Sequence, residues 1–210
     1  MKYKVMIVED QTMPRELFEL RIQASEHFEV ALSIDNAALA DVYCLRFPVD
    51  LILMDVVTRN GESGLDAAKR IKRTFPQIKI IIVTSMPECS YLSRAREIGV
   101  ESFWYKEEQR ESLLDVMERT MAGESVYPDA TPELQLGLAS SYKFTDRELD
   151  VLREMTSGDT NQEIAERLHM SVATVKTHIL NMLEKTGFRN RTELAVRARE
   201  SGLVILNRKN

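Results

Sequence analysis

The sequence predicts two domains: an α/β domain built as a five-unit doubly wound parallel sheet over residues 1–122, and a small all-α domain of four helices over residues 143–210. Three observations predict it. Short apolar runs alternate with stretches of helical periodicity through residue 122. Residues 123–142, GESVYPDATPELQLGLASSY, then break the alternation with Gly123, Pro128, Pro132 and Gly137, and read as a linker carrying a short helix around PELQLGLA. After them no strand pattern returns.

Taken in order, the strands are YKVMIV, FEVALS, DLILMD, IKIIIVTS and ESFWYK. They are apolar on both faces, as strands of a parallel sheet covered on both sides must be. The segments PRELFELRIQ, NAALADVYCLRF, GLDAAKRIKRTF and YLSRAREI supply the crossover helices, and SLLDVMERTMAG closes the domain. In the second domain Thr145 stands before DRELDVLREMT with Glu148 three residues on, which is a capping-box signature. Further helices are expected over residues 161–169, 171–186 and 192–201, with Asn161 as an N-cap.

The 210 residues are 44% apolar and 29% charged, enough for two cores. No apolar run nears the roughly 20 residues of a membrane span. The start, MKYKVMIVED, turns acidic too soon for a secretory signal. A cytoplasmic protein without a membrane partner is expected. Cys44 and Cys89 lack CxxC spacing and paired histidines, so neither a zinc site nor a disulfide framework is expected, and both read as small buried apolar residues. The net charge of −5 hides an asymmetry: residues 1–141 carry 16 Lys+Arg against 23 Asp+Glu, residues 142–210 carry 12 against 10. From Ser171 onward there are eight basic and three acidic residues, the sign of a surface that meets phosphates.

In an open parallel sheet, ligands bind outside the carboxyl ends of the strands. Here those ends carry Glu9 and Asp10, then Asp55, Thr84 and Lys106. Converging carboxylates repel one another by several kcal/mol unless a cation sits among them. Mg²⁺, a hard ion that takes carboxylate, phosphate and water oxygens, meets that need. Asp55 is then placed to accept a phosphoryl group, Lys106 to pair with one phosphoryl oxygen and Thr84 to donate to another. Ser85, next in the chain, leaves open which hydroxyl faces the phosphate.

These five residue types and their strand order resemble the receiver domain of two-component response regulators. The resemblance implies that Glu9, Asp10 and Asp55 hold Mg²⁺ with the Val57 backbone carbonyl, and that a sensor histidine kinase phosphorylates Asp55. Phe103, three residues before Lys106, matches the switch aromatic that responds when Thr84 moves toward the phosphate. One departure stands out. The loop VVTRNGESG lacks the usual proline and its Gly64 falls one position late, which bears on metal affinity, phosphoryl lifetime and kinase choice.

The stretch from Phe144 to Val204 resembles the LuxR-type (NarL/FixJ-type) DNA-binding domain through TDRE, NQEIAERL, ATVKTHI, KTG and NRTELA. The resemblance implies a helix-turn-helix whose recognition helix enters the major groove of double-stranded promoter DNA. On a helical wheel Val172, Val175, Ile179, Met182 and Leu183 face inward. Thr177 and Asn181 face outward between Thr174 and Leu180, with Lys176, His178 and Lys185 at the margins. His169 and His178 lack partners at metal-ligand spacing. The family's last helix commonly supplies a dimer contact, which here implies Leu194, Ala195 and Ala198 in a homodimer formed on phosphorylation. RNA polymerase is a further partner the resemblance allows.

Two other classes of function fit part of the sequence. A receiver that serves as an unphosphorylated structural module is motivated by the shifted loop. A hydrolase working through an aspartyl phosphate needs an acid/base carboxylate two residues after Asp55, where this chain has Val57, so an enzyme is not expected.

Overall fold

The computed structural model describes residues 2–87, 90–106, 112–129 and 131–204. Its elements follow in order: β1 (Tyr3–Val8), α1 (Thr12–Gln23), β2 (Phe28–Ile34), α2 (Ala40–Arg46), β3 (Leu51–Asp55), β4 (Val57–Thr58), β5 (Glu62–Ser63), α3 (Gly64–Thr74), β6 (Lys79–Thr84), α4 (Ser90–Ile98), β7 (Ser102–Tyr105) and α5 (Leu113–Met121). The hairpin β8 (Gln135–Leu136) and β9 (Ala139–Ser140) precedes α6 (Asp146–Thr156), α7 (Asn161–Arg167), α8 (Val172–Thr186) and α9 (Arg191–Glu200). Two compact units result, one from Met1–Ser85 and Leu92–Asp129, the other from Met86–Tyr91 and Ala130–Asn210.

In the first unit five parallel strands lie in the order β2-β1-β3-β6-β7. Alternation splits their side chains between two cores. Val5, Ile7, Leu51, Leu53, Ile81, Val83 and Trp104 pack with Phe18 and Ile22 of α1 and with Val116 and Met117 of α5. Met6, Val8, Ile52, Met54, Ile80 and Ile82 are equally buried on the opposite face, and α3 buries Leu65, Ala68 and Ile71. Each such aliphatic side chain contributes about 1.5–3 kcal/mol through its removal from water.

Register positions the strand ends. Val8 lies beside Met54, Asp55 beside Val83, and Thr84 beside Tyr105. Glu9, Asp55, Thr84 and Lys106 therefore emerge at one rim within two residues of one another along the strand direction.

The second unit differs from expectation at its start. Residues 131–142 form a hairpin and a 3₁₀ turn over Ser141–Lys143, not a linker with a short helix. Leu136 and Ala139 belong to the same core as Leu149, Leu152, Ile164, Val175, Met182 and Leu194. Gly137 is the reason the chain turns rather than coils. Its φ is +62°, as the first residue of a two-residue Gly-X hairpin turn requires, and a Cβ there would lie 2.2 Å from the Thr186 carbonyl oxygen.

The capping box at Thr145 and Glu148 is present, with the Thr145 hydroxyl accepting from the Glu148 amide at 3.2 Å. A second box at Thr160 and Glu163 makes Thr160 the N-cap of α7, displacing Asn161 to the first helical position. Cys44 is half-buried and burial, then Asp41, pushes its thiol up to about 11. Cys89 and residues 205–210 lie outside the described residues. Among the described residues no helix is long and apolar enough to cross a membrane.

Candidate phosphoacceptor site and nucleic-acid interface

The three expected carboxylates converge: oxygens of Glu9, Asp10 and Asp55 lie within 4.8 Å of one another. Glu9 is fully buried, Asp55 nearly so, and Asp10 is half-buried. Their charge is met inside the fold. The Lys106 ammonium donates to Glu9 Oε2 at 2.5 Å and to Asp55 Oδ2 at 2.9 Å. A protein cation therefore sits among the carboxylates and does part of the work expected of Mg²⁺.

The neutralisation is incomplete. Burial pushes the Asp55 carboxyl up to about 7, Lys106 opposes the rise, and Glu9 adds to it. The pairing in turn raises the Lys106 ammonium above its ordinary value even though burial alone lowers it. An acidic trio, two of its members buried, with one ammonium and a proton-hungry central carboxylate fits a hard divalent cation, and Glu9, Asp10 and Asp55 are the side chains that would hold it.

Thr84 is fully buried at the end of β6, whereas Ser85 is exposed, so Thr84 is the inward residue of the two. Phe103 is buried on β7 with its ring 5.0 Å from that of Tyr105. Arg15, which sequence reasoning missed, donates from Nη1 to the Glu9 carbonyl oxygen at 3.0 Å and pins the first acidic loop. An arginine in the first turn of a helix carries no sequence signal of that bond.

The loop after Asp55 absorbs its extra residue in a hairpin. β4 pairs with β5, Asn60 takes a left-handed φ of 64° between them, and the Gly64 amide donates to the Val56 carbonyl at 2.8 Å. Strand alternation turns the next carbonyl, that of Val57, away from the hairpin partner. The Thr58 hydroxyl accepts from the Ala37 amide at 2.9 Å and donates to the Glu62 carbonyl at 3.2 Å. Gly64, although displaced by one, packs on Asp55: a Cβ there would lie 1.8 Å from the Asp55 carbonyl oxygen.

In the second unit Ser171 caps α8 by accepting from the Thr174 amide at 3.0 Å. Val175, Ile179 and Met182 are buried and Val172 and Leu183 pack against the core, as expected. Thr174, Lys176, Thr177, Leu180 and Asn181 are exposed along the opposite face, with His178 half-buried at its margin. Lys185 departs from the expected set. Its ammonium is held by both Glu148 oxygens at 2.6 and 2.7 Å and by the Lys143 carbonyl at 2.8 Å, inside the unit. Asn161 accepts from Arg191 Nη1 at 2.8 Å, so its side chain ties α7 to α9.

Two of the expected dimer residues are also corrected. Ala195 is only partly buried, whereas Leu194 and Ala198 are fully buried in the unit's core, which removes those two from an intersubunit surface. Their i,i+4 spacing serves the core stripe of α9. Its outer face carries Val196, Arg197, Arg199 and Glu200.

Comparison with known proteins agrees with both halves of this geometry. A family model for the response regulator receiver domain matches residues 5–118, and one for bacterial regulatory proteins of the luxR family matches residues 142–198. Response regulator protein VraR of Staphylococcus aureus is 31% identical over 212 aligned positions, covering 97% of this chain and 100% of the relative. A solved structure of two RcsB dimers bound to two parallel DNAs superposes with a TM-score of 0.62 at 19% identity, over 94% of this chain and 98% of that one. RcsB from Salmonella enterica serovar Typhimurium, bound to promoter rprA in the presence of phosphomimetic BeF3−, gives 0.61 at 19% identity over the same shares. Such identities establish the likeness of fold, and the sequence matches establish the family: the chain belongs to the response regulators that join a receiver domain to a LuxR-type DNA-binding domain.

Proposed function

We propose that a sensor histidine kinase phosphorylates this response regulator on Asp55 and that the phosphorylated protein binds promoter DNA through α8 to regulate transcription. The observation that carries the reading is the placement of Lys106 between Glu9 and Asp55, beside a buried Thr84 at the same sheet rim. In the transfer, an Asp55 carboxylate oxygen attacks phosphorus, the phosphorus–nitrogen bond of the donor phosphohistidine breaks, and its electron pair returns to the imidazole. Lys106 leaves Asp55 to pair with a phosphoryl oxygen, and Thr84 donates to another. Glu9, Asp10, Asp55 and the Val57 carbonyl would hold Mg²⁺, which would supply charge neutralisation when bound.

On the DNA side, Thr174, Thr177, Leu180 and Asn181 face base edges while Lys176 and His178 face phosphates. Lys185 acts instead by holding α8 to α6. That the similar RcsB structures hold DNA supports this reading. A homodimer on phosphorylation gains avidity by joining two half-site contacts. RNA polymerase is a further partner, and the protein works in the cytoplasm without a membrane partner.

The test incubates the full chain with a small phosphodonor and Mg²⁺. We expect an acid-stable, base-labile phosphoryl adduct on Asp55, absent from Asp55→Asn. No adduct with any donor would leave the receiver as a structural module. Sustained turnover of small phosphate esters, abolished by Asp55→Asn, would instead mark a phosphatase.

A further inference from the structure

The residues that follow α5 do not leave the sheet freely. They run along the exposed edge of β7, where the Phe103 amide donates to the Val126 carbonyl at 2.8 Å and the Val126 amide donates to Ser102 Oγ at 3.1 Å. Val126 packs into the core formed with α1 and α5. Tyr127, the next residue, reaches the face that carries Phe103, and their rings lie 6.3 Å apart with 34° between planes. Two further contacts hold the Tyr127 ring. Its hydroxyl donates to the Val100 carbonyl at 2.8 Å, and the Arg96 guanidinium of α4 sits 4.7 Å from its centroid. Burial pushes the phenol up to about 12, so it stays a donor across the physiological range.

Phe103 thus touches the chain at both its backbone and its ring where the segment toward the second unit begins. A change in how Phe103 packs cannot leave the half-buried Tyr127 undisturbed, because the Tyr127 ring packs against that of Phe103. We propose that Tyr127 is a positioning residue that clasps the start of the interdomain segment to the switch aromatic, and that phosphorylation of Asp55 opens the clasp. Among the described residues the Tyr127 side chain is held by one ring pair, one hydroxyl bond and one cation–π contact. Each is individually weak, so one phosphorylation event can overturn them.

The inference rests on Asp55 as phosphoacceptor, and the test keeps the two apart. Backbone hydrogen exchange is followed over residues 122–129 of the full chain, with and without a small phosphodonor plus Mg²⁺, while the adduct on Asp55 is counted in the same samples. In the native protein, exchange over that segment should quicken about tenfold on phosphorylation. In Tyr127→Ala it should be fast in both states, with the Asp55 adduct formed as before. Tyr127→Phe and Arg96→Gln, which each remove one contact, should show a smaller phosphorylation response and serve if the alanine variant does not fold. Full phosphorylation of Asp55 with no change in exchange overturns the clasp alone. An unchanged response in the variants does the same, and no adduct in the native protein overturns both readings.

Discussion

At the scale of single residues, Lys106 is the most informative side chain in the chain. Its ammonium bridges two carboxylates that are almost wholly out of water. Removing one partner of a buried ion pair costs about 3–5 kcal/mol, because the other charge is left uncompensated. Lys106→Met should therefore lower the melting temperature of the receiver without Mg²⁺. Saturating Mg²⁺ should restore much of the loss, since ligand at 100 times its Kd adds about 2.7 kcal/mol. A thermal melt with and without Mg²⁺ checks this, and the Mg²⁺-induced rise should exceed that of the native protein. The role of Lys106 as an internal counterion was not legible in the sequence: its partners Glu9 and Asp55 lie 97 and 51 residues away.

Glu148 supplies a second prediction at the same scale. Although its burial alone favours the neutral acid, bonds from Lys185 and Thr145 hold its carboxyl below the ordinary value of 4.5. A carboxylate lowered on folding contributes stability that is present above the unfolded value and lost as pH falls through the folded one. Melts of the second unit should lose stability as pH drops below about 4.5, on the reference scale of an unperturbed Glu. In Glu148→Gln that part of the acid loss should vanish, at a cost of about 1–3 kcal/mol at neutral pH. The capping box was visible from sequence because it is local; the ion pair to Lys185 spans 37 residues and was not.

At the scale of elements, α8 combines two kinds of lysine that the sequence alone did not separate. Lys176 is exposed, while Lys185 is half-buried in its bond to Glu148. Lys176→Ala should weaken DNA binding on most sequences and reduce the salt slope by about 1. Asn181→Ala should relax preference at particular bases. Lys185→Ala should leave the salt slope unchanged and lower the melting temperature instead; titrations at several salt concentrations beside thermal melts distinguish the three. The five strands of the parallel sheet were legible because each is a run rich in apolar residues and long enough to show. The β8–β9 hairpin was not, because two residues per strand are too few for an alternation to register. Leu194 and Ala198 were assigned to a dimer contact by family likeness, although their spacing on α9 already marked a core stripe.

At the scale of the whole molecule, the second unit begins near residue 131, well before the boundary at 143 that proline and glycine content suggested. Composition misleads here because Gly137 serves a tight turn inside the unit. A fragment of residues 131–210 should fold alone and melt cooperatively by circular dichroism. One starting at residue 143 loses Leu136 and Ala139 from the core, and should be less stable by about 2–5 kcal/mol, on the scale of a large core truncation. Equal melting of the two fragments would show that the hairpin is dispensable.

The close seat of Gly64 against the Asp55 carbonyl has a consequence for how such a loop tolerates change. The helix α3, anchored by that contact, fixes the Asp55 backbone from beyond the hairpin, so the turn between β4 and β5 can lengthen or shorten without carrying that carboxylate along. Diversity in the tip is thereby uncoupled from aim, and the late glycine marks where the freedom stops.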